Sequence, residues 1–325
     1  MTSDQQIGPP EGLCRVLSLD GGGAKGFYTL GVLAQVEALI KKPLYEHFQL
    51  IFGTSTGAII AALLSVGYKV EDVLKLYRQH VPVVMGHKDA GGRTKALDKL
   101  VGEVFGEMDF KAVKTGIGIV ATYWDLQKPM IFKTSVAQAH GREGTFLPGF
   151  GCKLGEAVRA SCSAYPFFER YTLKTGQDTT VELFDGGYCA NNPTLYAIAD
   201  AVMAYKKAYS DLRVLSVGVG MYPEPKHLVT PRTFVEWIAK ACIGFTGLQL
   251  LQKTLDVNTN SMEQLRAVLF KEIQAVRISD TYQQPEMATD FLESDIKKLE
   301  MLYLRGWESF AAHESALKRL LLEEK

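Results

Sequence analysis

The sequence predicts an α/β fold with a largely parallel sheet, and three observations carry that expectation. Two strand–glycine turn–helix units follow one another near the N-terminus. Further short apolar strands recur between helical stretches, and 47% of the 325 residues are hydrophobic, enough to bury a sizeable core.

The elements follow in order. Residues 1–13 are polar, contain Pro9–Pro10, and are expected to form a flexible N-terminal lead-in. Arg15 to Leu19 is a β-branched and leucine strand. Lys25 to Lys41 is a helix, with Leu30, Leu33, Val36 and Ile40 at helical spacing. Phe48 to Phe52 is a second buried strand, and Ala58 to Val66 a second helix. Residues 81–95, "VPVVMGHKDAGGRTK", are broken by Pro and Gly and are expected to be a loop. Its apolar start, "VPVVMG", is a candidate lid over the site, a buried core strand being the plainer alternative. Ile117 to Tyr123 is a strand, residues 154–168 a small-residue helix ending at Pro166, and Val181 to Phe184 a strand. Asn192 suits an N-cap and Pro193 a first helical position for Thr194 to Tyr209. Arg213 to Val219 and Ala275 to Ile278 are strands, and Phe291 to Leu322 is an amphipathic helix broken at Gly306. The expected organisation is a catalytic core over 14–222 and a mostly helical C-terminal region over 223–325, packed on the core and carrying regulation.

Composition narrows the function classes. The chain has 36 basic and 36 acidic residues, so a general electrostatic footprint for nucleic acid is missing, and neither DNA nor RNA is expected as a partner. The five cysteines, Cys14, Cys152, Cys162, Cys189 and Cys242, include no C-x-x-C pair, which suggests neither a disulfide framework nor a zinc site. The longest purely apolar run, Ala58 to Leu64, is far short of the roughly 20 residues of a membrane span. No basic stretch followed by an apolar core opens the chain, so a cytoplasmic protein is expected.

Three motifs carry chemistry. The loop Gly21, Gly22, Gly23, Ala24, Lys25, Gly26 lies between strand and helix and matches G-x-G-x-x-G. It suits a dinucleotide pyrophosphate, an oxyanion, or a ligand-free tight turn. The acidic residue expected about 20 positions further on for a dinucleotide is not cleanly present. Gly53, Thr54, Ser55, Thr56, Gly57 is G-x-S-x-G between an apolar strand and an apolar helix, the setting of a nucleophile elbow. There Ser55 would stand at a helix N-terminus, although a serine N-cap is the plainer alternative. A serine nucleophile needs a base. Of the six histidines only His227 and His313 follow the best acidic candidate, and neither stands at an obvious strand end. That candidate is Asp185, at the end of an apolar strand and followed by Gly186 and Gly187. It could take the serine proton directly, its weak basicity raised by burial and offset by positioning; an Asp-Gly turn is the alternative.

Together "DGGGAKG", "GTSTG" and "DGG" resemble the patatin-like phospholipase family. The resemblance implies a three-layer α/β/α fold with a mostly parallel central sheet and a Ser–Asp dyad without histidine. Ser55 is then the nucleophile, Asp185 the base, and Gly22 and Gly23 the oxyanion hole. Lys25 falls where the family has a basic residue. No metal and no cofactor are implied.

Longer stretches, among them "RASCSAYPFFER" and "DGGYCANNPTLYAIADA", resemble the bacterial patatin-like effectors of cyclic-oligonucleotide antiphage signalling (CBASS) over most of residues 14–310. This implies a cyclic dinucleotide activator supplied by a cognate nucleotidyltransferase, with cyclic GMP-AMP and cyclic UMP-AMP as candidates. The implied substrate is the cell's own membrane phospholipid, met at the inner face of the membrane, and activation is expected to shift the chain to a homo-oligomer. Arg232, Lys240 and Arg277 are available phosphate partners. The competing readings are an unregulated patatin-like lipase, a noncatalytic nucleotide sensor, and a dinucleotide-binding oxidoreductase using Gly21, Gly23 and Gly26.

Overall fold

The computed structural model describes residues 10–222, 245–284 and 288–323. His227, Arg232 and Lys240 lie outside the described residues.

Among the described residues, eight strands form one mixed sheet: β1 (Cys14–Leu19), β2 (Leu50–Thr54), β3 (Gly116–Tyr123), β4 (Lys128–Lys133), β5 (Tyr171–Lys174), β6 (Thr180–Asp185), β7 (Leu212–Val217) and β8 (Gln274–Ile278). The run β8–β7–β1–β2–β3 is parallel throughout, while β4, β5 and β6 join antiparallel. Their nearly continuous apolar sequences fit strands covered on both faces. Helices α1 (Gly26–Ile40), α2 (Leu44–His47), α3 (Thr56–Val66), α4 (Val70–Gly86), α5 (Ala90–Phe105) and α6 (Leu154–Ser161) follow the early strands. Then come α7 (Gly187–Ala190), α8 (Thr194–Ala199), α9 (Phe245–Leu269) and α10 (Ile296–Leu322). Two separate apolar cores cover the sheet. One is built largely from α1, α3, α4, α5 and α10, the other around Ala197, Ile198 and Ala201 from α8 and the turn after it. The layers are therefore helix, sheet, helix, as expected.

One feature of the sheet places the site. β4 occupies one edge of β3 from Gly118 to Tyr123, so β2 and β6 must share the other. β2 runs parallel to β3 and stops at Thr54, opposite Val120; β6 runs antiparallel and stops at Asp185, opposite Ala121. The two strands meet head to head, one register step apart along β3.

Several expectations need correction. Residues 81–95 are mostly helical: α4 continues to Gly86 and α5 starts at Ala90. Val70, Val73, Leu74, Tyr77, Val81 and Val84 form one buried face at helical spacing, and this packing carries the helix through Pro82. Asp89 caps α5 by accepting the Gly92 N–H at 2.8 Å, which makes the Gly91–Gly92 pair a helix start. The helix expected over 154–168 stops at Ser161, because the chain turns there to bring Ser163 to β6, where its carbonyl accepts the Asp185 N–H. The helix expected to reach Tyr209 gives way at Asp200 to a π-helical turn, Asp200–Ala204.

The last helix begins at Ile296 and passes unbroken through Gly306. Gly306 is an internal contact point: a Cβ there would collide with the Tyr28 carbonyl, and one on Gly31 would collide with the Tyr303 carbonyl. The two glycines let α1 and α10 cross backbone against backbone. Arg277, expected to be available to a phosphate, is instead held by Asp20, with its Nη1 donating to Asp20 Oδ1 at 2.8 Å. Strands β4 and β5 lie where no strand was expected.

Candidate active site

Ser55 and Asp185 occupy the two facing strand ends. Ser55 Oγ donates to Asp185 Oδ2 at 2.7 Å, and the other carboxylate oxygen accepts the Gly187 N–H at 2.7 Å. Ser55 has φ 53 and ψ −121, a positive-φ conformation that a non-glycine residue adopts only at a cost of about 1–3 kcal/mol. The sharp turn brings β2 and α3 so close that a Cβ on Gly53 would collide with the Gly57 carbonyl, and one on Gly57 would collide with the Leu19 carbonyl of neighbouring β1. The G-x-S-x-G pattern is thus a packing requirement here.

Asp185 is 5% exposed, and burial raises its carboxyl from 3.8 to about 6, the hydrogen bonds from Gly187 and Ser55 acting in the opposite direction. A carboxylate with a pKa near neutrality is a better base than an exposed one, yet stays ionised at pH 7. Among the described histidines none is hydrogen-bonded to Ser55 or Asp185. His313 pairs with Asp280 at 3.1 Å, and His140 with Asp200 at 2.6 Å.

The glycine loop faces the same space. Gly22 and Gly23 line one cavity together with Ser55 and Asp185, and their N–H groups have no partner among the described residues. The neighbouring amides are used: Gly21 N–H donates to the Asn191 carbonyl at 3.0 Å, and Ala24 N–H to the Phe291 carbonyl at 2.9 Å. Gly23 has φ +57, and a Cβ on it would collide with Phe291 O. Two free amides beside a serine–carboxylate pair can receive an anion. Lys25 is buried; desolvation pushes its pKa down, while the carboxylates of Asp256 and Asp290 act the other way.

The cavity is otherwise apolar. Val84 and Met85 of α4, Leu97 and Leu100 of α5, and Leu251 and Leu255 of α9 wall it, and its volume is about 70 Å³. The "VPVVMG" stretch therefore does reach the site, as the inner face of a helix end. Among the described residues no group of three or more His, Cys, Asp or Glu is arranged to hold a metal ion, and no helix is long and apolar enough to cross a membrane.

Two positioning residues lie outside the motifs. Ser161 Oγ donates to the Val120 carbonyl and accepts the Ser55 N–H at 2.9 Å, clamping the strained backbone to β3. Asn191 Nδ2 donates to the Gly21 carbonyl at 3.3 Å and to Thr259 Oγ1 at 2.7 Å, which ties the glycine loop to α9. Nothing in its own short sequence context marks Ser161. Asn191 stands close enough to Gly186–Gly187 to have been weighed with them.

The model of a family described as patatin-like phospholipase matches residues 17–198. The chain is 57% identical over 312 residues, 96% of it and 95% of the relative, to a cUMP-AMP-activated phospholipase of Escherichia coli. It is 27% identical over 237 residues, 63% of each chain, to a cGAMP-activated phospholipase of Vibrio cholerae. Among solved structures, VipD from Legionella pneumophila aligns over 96% of this chain and 67% of its own length, with a TM-score of 0.44 and 12% identity.

Proposed function

Since the chain belongs to the patatin-like phospholipase family and is a phospholipase, we propose that Ser55 and Asp185 are its catalytic dyad and that a cyclic dinucleotide turns it on. The observation that carries the dyad is the 2.7 Å hydrogen bond from Ser55 Oγ to Asp185 Oδ2, beside the two free amides at the mouth of an apolar cavity. The acyl chain of a phospholipid lies along α4, α5 and α9, with its ester carbonyl at the polar end. Asp185 accepts the Ser55 hydroxyl proton as Oγ bonds to the carbonyl carbon, and the N–H groups of Gly22 and Gly23 hold the oxygen that becomes negative. Collapse of this intermediate breaks the ester bond. The proton on Asp185 passes to the departing alkoxide, and lysophospholipid leaves. Water then attacks the acyl-serine with Asp185 again as base, the acyl–Oγ bond breaks, Asp185 returns the proton to Ser55 Oγ, and the fatty acid is released.

Regulation is read from the similarity to the cUMP-AMP-activated relative. It is also read from the narrowness of the cavity, about 70 Å³ against the roughly 300–1,000 Å³ of a small-molecule site. An acyl chain enters only when the walls part. Regulation is assigned to the C-terminal region 223–325, within which α9 and the segment around Phe291 are the parts that must shift: α9 supplies Leu251 and Leu255, and the Phe291 carbonyl is seated on the glycine loop. The activator comes from a cognate nucleotidyltransferase, the substrate is phospholipid at the inner face of the cell membrane, and the setting is antiphage defence. The oxidoreductase reading of the glycine loop is set aside, because family membership and the facing dyad account for all three motifs at once.

The test measures phospholipid hydrolysis by the purified full chain against a panel of cyclic dinucleotides, with fluorophosphonate labelling of Ser55 in parallel. Low activity without ligand, strong stimulation by one cyclic dinucleotide and a shift to larger assemblies are expected. Full activity without ligand would leave an unregulated lipase.

A further inference from the structure

A second cavity, of about 370 Å³, shares no lining residue with the first. It lies along β4 on the far edge of β3, where Lys133 is paired with Gly118, three residues before the position opposite Asp185. Its polar side is lined by basic side chains. Lys133 Nζ and His140 Nε2 are each 2.6 Å from Asp200 Oδ1, and Gln138 Nε2 donates to Asp200 Oδ2 at 2.8 Å. Asp200 is only 2% exposed, so a single buried carboxylate serves two bases. Arg142 is exposed on the same cavity, and its guanidinium has no acidic partner among the described residues. The other side is apolar. Ile131, Phe146, Leu147 and Phe150 wall it, and Phe150 is 40% exposed. Both His140 and Phe150 have positive φ, 52 and 56.

Each side alone would suit a different ligand. Inorganic phosphate has no use for the aromatic wall, and a fatty acyl chain has no use for Lys133, His140 and Arg142. A nucleotide uses both, because its phosphodiester oxygens accept from these donors while its bases stack on aromatic faces. The volume lies within the small-molecule range of about 300–1,000 Å³. Resting on the activation proposed above, we infer that this cleft is the binding site of the cyclic dinucleotide.

Its phosphates take Lys133 and His140 away from Asp200. That residue opens the π-helical turn ending α8, and α8 packs on α9, which walls the catalytic cavity. The bound ligand thus acts on the segment that must move for lipid to enter. It shifts the equilibrium only by its preference for the open arrangement.

The test titrates the full chain with cyclic UMP-AMP by calorimetry and follows lipid hydrolysis in the same samples. The variants are Arg142→Glu and Phe150→Asn, the latter chosen because asparagine tolerates the left-handed backbone. Arg142→Glu should bind about tenfold or more weakly, as loss of a charge-assisted contact and its reversal imply. Phe150→Asn should also weaken binding, while both variants keep wild-type melting and wild-type ligand-free labelling of Ser55. Wild-type affinity in Arg142→Glu, with the wild type itself stimulated, overturns the cleft and leaves the activation reading standing. A wild type that neither binds nor responds to any cyclic dinucleotide overturns both. Arg142-dependent binding to phosphatidylglycerol vesicles, with nucleotide binding unaffected by either variant, assigns the cleft to a lipid headgroup phosphate and also overturns the proposal.

Discussion

The cavity beside Ser55 and the cleft around Arg142 are built by opposite means. The first has a volume of about 70 Å³ and is apolar except at one end, where each polar group is fixed: Ser55 by Asp185 and Ser161, Asp185 by Gly187. The second has about 370 Å³, and Lys133 and His140 share one carboxylate. A site that stabilises a charge formed for an instant gains from groups that cannot relax. A site that must change state on binding gains from charges that can exchange partners. The two proposed roles thus differ in how their polar groups are held as well as in polarity.

If the contrast is right, perturbing the fixed site should be costly and largely independent of the activator. The largest effect should come from Ser55→Ala and Asp185→Ala. Each should lower turnover on the order of 10³-fold or more, with the double variant little worse, because the two act as a unit. Phospholipase assays on the folded variants check this; retained activity in Asp185→Ala would bring in a base from elsewhere, such as His227.

Gly23→Ala should come next. The new Cβ meets the Phe291 carbonyl in a left-handed backbone, so the amide corner shifts. Turnover should fall about 10²-fold, the usual loss for one oxyanion donor. A change in KM alone would contradict the oxyanion role.

The pH profile gives a smaller effect. As the proposed base, Asp185 can act only when ionised, and its pKa is raised by burial to about 6. Activity should therefore be full above this value and fall as the pH drops through it, in the ligand-bound enzyme on a soluble ester. A falling limb near the ordinary aspartate value would mean that the carboxylate is better solvated than its surroundings indicate.

The smallest effect is Val83→Asp. Val83 is 59% exposed, while Val84 and Met85 beside it wall the cavity. Stability should change by no more than about 0.5 kcal/mol, as for other exposed positions. Hydrolysis of bilayer lipid should fall severalfold while that of a short soluble ester is spared. Equal loss on both would make this helix end part of the core alone.

The two regions also differ in how much of them the sequence reveals. The dyad site can be read because its backbone crowding demands glycine at set positions: Gly57 under the Leu19 carbonyl and Gly23 in a left-handed turn leave a pattern that no side chain could replace. The cleft has no such pattern. Lys133, Arg142 and Phe150 come from a strand and two loops, and only the fold gathers them. The misread elements follow the same logic. Pro82, Gly91–Gly92 and Gly306 look like chain breaks, yet each is accommodated by a contact distant in sequence or by a cap. Pro and Gly record local preference, and tertiary packing overrode it.

The head-to-head ends of β2 and β6 on one edge of β3 have a consequence for how the enzyme can vary. Ser55 and Asp185 are 130 residues apart in the chain, yet their relative position is set by one step of a ladder on a third strand. Insertions in the loops between them leave that step alone, so those loops are free to lengthen and acquire new surfaces. β3 has no such freedom. A slip of one residue between it and β6 would move the carboxylate by roughly 3.3 Å and turn its side chain to the opposite face of the sheet. The part of the molecule least tolerant of insertion is thus a strand that carries neither member of the dyad.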